Sequence, residues 1–413
     1  MSLHSTIITG FRALGLLYFD DNPNKTTISK LYIFYTFIAI LMGVLLIMTE
    51  FIALTFSLND PNEFAKATFL LLPNIVCLTK YLNIIIERKN IKKLMSYSKR
   101  DQFKPRDSVE VKILESFKYQ IKVLFWTYGI LVIGSLSILV ISSCINDVPK
   151  KLYHYNIWFP VFLTQNYFYF MTFFYQHFTT AYYANVNVTF DTFIASLMME
   201  TQAHLQILKY RFSKINDNYE ENINITSTIN EKIHLERKYL IDCVEYYFSI
   251  HEFARLANKT FQNSIFLQFF VSTFVVCVST FQLFYMVPLS EDFIALISFV
   301  LCMLAEIFIY CNYADNVTSE VYILNYFIKS IMMIYKKTNK KKLFFYSENI
   351  STSIFNTNWP MLSIYNRKIF AIIMMIVQKP IIYTSRYFVT LSLNDFLRLL
   401  KLSYSLLSVL RNY

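Results

Sequence analysis

The sequence predicts an all-α integral membrane protein with seven transmembrane helices in an inverted arrangement, its N-terminus cytoplasmic and its C-terminus outside. Three observations predict it. The chain is 55% hydrophobic and 18% aromatic with 16% charged residues, where soluble domains carry about 25% charged residues. Its apolar runs reach the roughly 20 residues that cross a hydrocarbon core. Its basic residues gather in alternate connections between those runs.

Residues 1–30 mix polar and apolar side chains and read as a cytoplasmic segment with no cleavable leader. Hydrophobic windows then place spans at about 31–56, 64–86, 123–145, 161–195, 264–287, 293–313 and 382–410. The first, LYIFYTFIAILMGVLLIMTEFIALTF, and the third, VLFWTYGILVIGSLSILVISSCI, are the clearest. The fourth is overlong, and ETQAHLQILKYRF keeps helical periodicity while turning polar, so its helix is expected to leave the membrane and continue. The seventh is the least hydrophobic.

The connections after spans two, four and six are rich in Lys and Arg, whereas SLNDPNE, NDVPKKLYHYNIW and VPLSED offer only Lys150 and Lys151. The positive-inside rule therefore sets the inverted orientation. A G-protein-coupled receptor, with its N-terminus outside, would put every basic connection on the wrong face. The sequons at Asn24, Asn187, Asn224, Asn258, Asn316 and Asn349 all fall in spans or cytoplasmic segments, so none is expected to carry glycan.

The net charge of +11 sits in these connections, which excludes a nucleic-acid partner in favour of membrane lipid. The six cysteines lie mostly within apolar spans, so no disulfide framework is expected. With five glycines there is no phosphate-cradling loop, no G-x-S-x-G and no H-E-x-x-H, so neither an enzyme nor a cofactor is expected. Ionisable residues within spans are Glu50, Lys80, Asp191 and Glu306. Glu50 and Lys80 read as interfacial, with Lys80 snorkelling. Asp191 reads as a hydrogen-bonding group between helices, and Glu306 alone is weak support for an ion relay.

QKPIIYTSRYFVTLSLNDFLRLLKLSYSLLSVLRNY, residues 378–413, resembles the C-terminal signature of insect odorant receptors. Pro380, Ser392, Phe396, Ser403, Tyr404 and Ser405 carry that likeness, together with Trp359 in NTNWPMLSIYNRK. FIYCNYADNV, FQNSIFLQFFVSTFVVCVSTFQL and FDTFIASLMMETQAHLQIL resemble the same family's later helices.

The resemblance implies a ligand-gated, non-selective cation channel subunit that assembles as a heterotetramer with the shared odorant co-receptor, in the plasma membrane of a sensory-neuron dendrite. Its organisation would be helices one to six over 31–313 with a pocket in the outer half, a cytoplasmic anchor region over 314–381 and a pore-lining helix over 382–413. The resemblance places the pocket for a volatile hydrophobic ligand among Leu70, Leu71, Asn74, Gly134, Ser137, Ile141, Tyr167, Phe170, Met171, Phe174, Phe299 and Met303. It places the pore and gate at Ser403, Leu407, Leu410 and Arg411. A gustatory-type channel of the same architecture is the near alternative, and a metabotropic receptor or a secondary transporter the distant ones.

One departure stands out. Ser319-Glu320 recurs as Ser347-Glu348, and excising what lies between restores a family-like DNVTSE…ENISTSIFNTNW. Every Val codon begins GT, a splice-donor dinucleotide, and LFFYS can be written with a pyrimidine tract ending in AG. Residues 321–346 are therefore expected to translate a retained intron or a gene-model error, with a genuine cytoplasmic insertion as the alternative.

Overall fold

A computed structural model of the chain describes residues 3–16, 26–59, 61–146, 148–150, 166–214, 229–337, 381–386 and 389–411. The described part is a helical bundle with one small hairpin. Its elements are α1 (Ser5–Ala13), α2 (Thr26–Phe56), α3 (Pro61–Ile86), α4 (Arg88–Tyr97), α5 (Ser108–Asn146), α6 (Asn166–Ser213), α7 (Ile229–Tyr285), α8 (Glu291–Lys337), β1 (Thr384–Ser385), β2 (Val389–Thr390) and α9 (Leu393–Arg411). Among the described residues, five helices are long and apolar enough to cross a membrane: α2, α3, α5, α7 and α8. The other two expected spans, α6 and α9, carry more polar side chains, which are partly turned into the bundle.

Local chemistry fixes the ends. Asp107 caps α5: its Oδ1 accepts from the backbone N–H groups of Val109 (3.0 Å) and Glu110 (2.9 Å), while Glu110 Oε2 accepts from the Arg106 N–H at 2.8 Å. That reciprocal pair satisfies donors the helix start would otherwise orphan. Pro61 opens α3, where a missing N–H matters least, and Pro73 interrupts the ladder inside the same helix. At α9, Ser392 Oγ accepts from the Asp395 N–H (3.2 Å) and donates to the Asp395 carboxylate (2.7 Å). This cap stops the helix at Leu393, so the seventh helix begins later than the expected 382, and an antiparallel hairpin pairing Thr384 with Thr390 precedes it.

The fourth and fifth helices run far beyond their expected spans, α6 to Ser213 and α7 from Ile229. The excess builds the α4 end of the molecule. There α6 becomes a central post: every residue from 188 to 201 is buried. A helix covered on all sides needs no single apolar stripe. The helix α1 seats Ile7 and Phe11, both fully buried, against it. His4 spans Ser196 Oγ at 2.8 Å and the Glu200 carboxylate at 2.7 Å, and Ser98 donates to the same carboxylate at 2.5 Å. Burial works to raise the Glu200 carboxyl, but His4 and His204 outweigh it and hold it well below the usual carboxylate range. Nearby, Arg211 grips Glu110 with Nε at 2.7 Å and an Nη at 2.9 Å, both side chains buried.

The surface of the spans is the opposite. On α2, Leu31, Phe34, Phe37, Leu41, Leu45 and Met48 all stand exposed, an apolar strip far larger than a water-facing helix carries. The α2 backbone approaches α6 closely at Gly43, where an added Cβ would lie 2.2 Å from the Tyr183 hydroxyl. Tyr183 there donates to the Ala39 carbonyl at 2.9 Å.

Candidate ligand cavity

Between α3, α5, α6 and α8, toward the end away from α4, lies a cavity of about 90 Å³. A single water needs about 10–15 Å³ on the same measure, so the space suits a small organic molecule. Its wall is built by helical phase. On α5, Tyr128, Val132, Ser135, Leu136 and Leu139 line it, and on α6, Thr180, Ala184 and Asn187; three- and four-residue spacings put each set on one face. Leu70, Pro73, Asn74 and Cys77 come from α3, and Phe299, Cys302, Met303 and Glu306 from α8. Phe69 leans on Phe299 with ring centroids 4.2 Å apart and backs this side.

The floor is ionic. Lys80, fully buried, donates to Asn187 Oδ1 at 2.6 Å, to Asp191 Oδ1 at 2.7 Å and to Glu306 Oε1. Tyr310 donates to Asp191 Oδ1, and Tyr128 to Asp191 Oδ2 at 3.4 Å. Asn187 Nδ2 in turn donates to the Tyr128 hydroxyl at 3.4 Å. The reading of Lys80 and Glu50 as interfacial is corrected: Lys80 is an internal ion-pair partner, and Glu50, 3% exposed, accepts from Asn74 Nδ2 at 2.8 Å. Lys80 faces α6 and α8 because both carboxylates wait there, which a snorkelling position would leave unpaired. Asp191 joins α3, α5 and α8 to α6, as the sequence suggests.

Of the residues singled out for the pocket, Leu70, Asn74, Phe299 and Met303 line the cavity. Leu71 is buried beside it without lining it. Ile141, Phe170, Met171 and Phe174 stand 58–70% exposed and face outward. Gly134 has no neighbour within 4 Å of an added Cβ, and Ser137 donates to its own helix at Ile133. The three on α5 sit on the opposite phase from its lining residues, and the three on α6 lie turns before the lining Thr180. The Tyr167 side chain lies outside the described residues. The sequence missed Tyr128, Asn187 and Glu306 as lining; polar residues at three- or four-residue spacing inside apolar runs were the available signal.

On α9, Ser403 is buried, 3.5 Å from Cys277 Sγ of α7 and donating to the Leu399 carbonyl, rather than turned to open solvent. Phe396 packs on Phe308 of α8 at 5.6 Å between centroids. Ser392 caps the helix, and Ser405, exposed, donates to Lys401 O at 2.9 Å. The side chains of Tyr404, Leu407, Leu410 and Arg411 and all of Trp359 and Pro380 lie outside the described residues.

This arrangement, a helical membrane bundle with a cavity between its helices and an amphipathic last helix, meets a sequence profile described as 7tm Odorant receptor over residues 60–328 and 341–404. The chain belongs to the 7tm odorant receptor family. It is 26% identical to odorant receptor 46a, isoform A, of Drosophila melanogaster over 273 residues, 64% of this chain and 66% of that receptor. Against isoform B it is 21% identical over 387 residues, 91% and 89% of the two chains. Its fold is similar to that of the insect olfactory receptor OR5 from Machilis hrabei in complex with eugenol, with a TM-score of 0.77, 15% identity, and coverage of 99% and 98%. This odorant receptor is therefore a multi-pass membrane protein. The family match skips only 329–340, a shorter stretch than the expected insert of 321–346. Helix α8 continues to Lys337, and Val321 and Leu324 at the start of that stretch are buried in the main core.

Proposed function

We propose that this chain is the odorant-binding subunit of a ligand-gated, non-selective cation channel, working as a heterotetramer with an odorant co-receptor in the dendritic membrane of a sensory neuron. The observation that carries this is on α9. Asn394, Arg398, Lys401 and Ser405 are all exposed, and their spacing puts them in one polar stripe along the helix. A helix with one hydrated face and one packed face is what a pore wall requires. Its packed face meets α8 where Phe396 packs on Phe308, two residues along that helix from the cavity-lining Glu306.

Binding in the cavity then works by displacement of α8 against α9. Apolar walls supply most of the affinity, at about 25 cal/mol per Å² buried, which fits a volatile organic ligand. In this reading the N-terminus is cytoplasmic, the cavity lies in the outer half, and Leu407 or Leu410 with Arg411 forms the constriction.

Whole-cell recording from cells expressing this chain with an odorant co-receptor, during a broad volatile panel, tests the proposal. The expected result is a rapid cation current absent from cells with co-receptor alone, surviving block of G-protein signalling. Silence from a chain shown at the cell surface would end it. Sequencing mature transcripts across 321–346 tests the retained-intron reading separately, since uniform presence there would remove that reading.

A further inference from the structure

The floor of the cavity holds acceptors with capacity to spare, while its one cation has no donor left. An ammonium has three N–H donors, and those of Lys80 are taken by Asn187, Asp191 and Glu306. The Tyr128 hydroxyl is spent on Asp191, and an Asn187 amide N–H on Tyr128. Carboxylates accept through about four lone-pair sites each, so Asp191 and Glu306 are not exhausted by these contacts. A ligand head entering here meets acceptors.

The charge count points the same way. Among the described residues, Lys80 is the one cation ion-paired with either Asp191 or Glu306. One lysine stands against two carboxylates, both nearly inaccessible to water. A third carboxylate, Glu50, lies behind the wall: its Oε1 accepts from the lining residue Asn74, and its Oε2 is buried with no partner. Carboxyl groups buried this close together around one lysine do not all ionise; an amine entering as the free base takes the remaining proton and stays as the ammonium.

We infer that the preferred ligand of this cavity is a small amine, bound as the ammonium with its head at Glu306 and its apolar body along Leu70, Leu139, Phe299 and Met303. The inference rests on the proposed reading of the cavity as the odorant pocket. The bound amine brings the cation count to two against Asp191 and Glu306, and its N–H groups use the free acceptor sites.

The experiment compares hexylamine, 1-hexanol and 2-hexanone, buffered to one pH, on cells expressing this chain with an odorant co-receptor. The three share an apolar body and differ in offering a charged donor, a neutral donor or an acceptor alone. The half-maximal concentration is expected to be lowest for hexylamine, by about tenfold against 1-hexanol, with 2-hexanone weakest. Glu306→Gln is expected to narrow the hexylamine-to-hexanol ratio by about tenfold. Glu50→Gln, which leaves the Lys80 contacts untouched, narrows it less and stands in where Glu306→Gln fails to reach the surface. Equal or stronger responses to 2-hexanone overturn the amine inference while leaving the channel reading in place. A ratio unmoved in both surface-expressed variants overturns it as well. Silence to these and to the broad panel, with the chain at the surface, overturns the channel reading and the inference together.

Discussion

Two buried ionic clusters of this receptor follow different arithmetic. At the α4 end, Arg211 faces Glu110 one to one, in a two-pronged contact. At the cavity floor, Lys80 faces two carboxylates at once. The first cluster is closed, with packed side chains around it. The second borders empty space. Balanced charge in a filled setting fixes the position of helices, whereas a surplus carboxyl beside a cavity leaves something for a ligand to complete.

That contrast can be broken most sharply at Lys80. Lys80→Met would strand two buried carboxylates, and the expected loss is at least the roughly 3–5 kcal/mol of a broken buried pair. Surface-labelled receptor should fall steeply, and adding Asp191→Asn and Glu306→Gln should restore most of it. Normal expression of the single variant would show that Lys80 is not the keystone of the floor.

Arg211→Ala comes next, at about 3–5 kcal/mol, read as the thermal midpoint of the detergent-purified assembly. Here Arg211→Met with Glu110→Leu should recover stability, because the site is already packed.

Gly43→Ala tests how much the close contact of α2 with α6 can yield. Its methyl collides with the Tyr183 hydroxyl, and overpacking of this kind costs about 1–3 kcal/mol. An unchanged midpoint would mean α2 slides freely over α6. Ser392→Ala is smaller, about 1 kcal/mol, and should show in the ligand concentration for half-maximal current, since it loosens only the start of α9.

The smallest effect is a pH dependence at the α4 end. Burial works to raise the Asp107 carboxyl, but the Glu110 N–H, Lys214 and Tyr210 outweigh it and bring it to about 2. A lowered folded-state value stabilises the protein above the ordinary carboxylate range, and that contribution fades as pH falls toward about 2. The midpoint difference between wild type and Asp107→Asn should therefore stay constant from about pH 7 to pH 5. A difference that shrinks within that window would assign the contact another role.

Much of this fold was legible because membrane physics writes in long words. Spans of about 20 apolar residues are read without knowing any contact. The cavity wall was harder. The stretches of α5 and α6 toward the cavity end are apolar on nearly every side, so Ile141, Phe170, Met171 and Phe174 look as inward as Leu139 or Ala184. Nothing in the local pattern tells a lipid-facing side chain from a packed one. Lys80 was misread for a related reason. Its partners Asp191 and Glu306 lie 111 and 226 positions away, and a single charge in a span looks interfacial until its partners are brought beside it. The start of α9 was missed at a finer scale, where Ser392 and Asp395 form a cap that hydropathy cannot see.

The unbroken burial of residues 188–201 in α6 has a consequence for time as well as space. Amide protons in that stretch have neither water nor lipid beside them, and no edge from which to fray. They would trade with deuterium only when the whole bundle comes apart, which makes this segment the slowest clock in the molecule. Any ligand that tightens the receptor as a whole would be seen there as a further slowing, and one that merely rearranges the cavity would leave the clock running at its old rate.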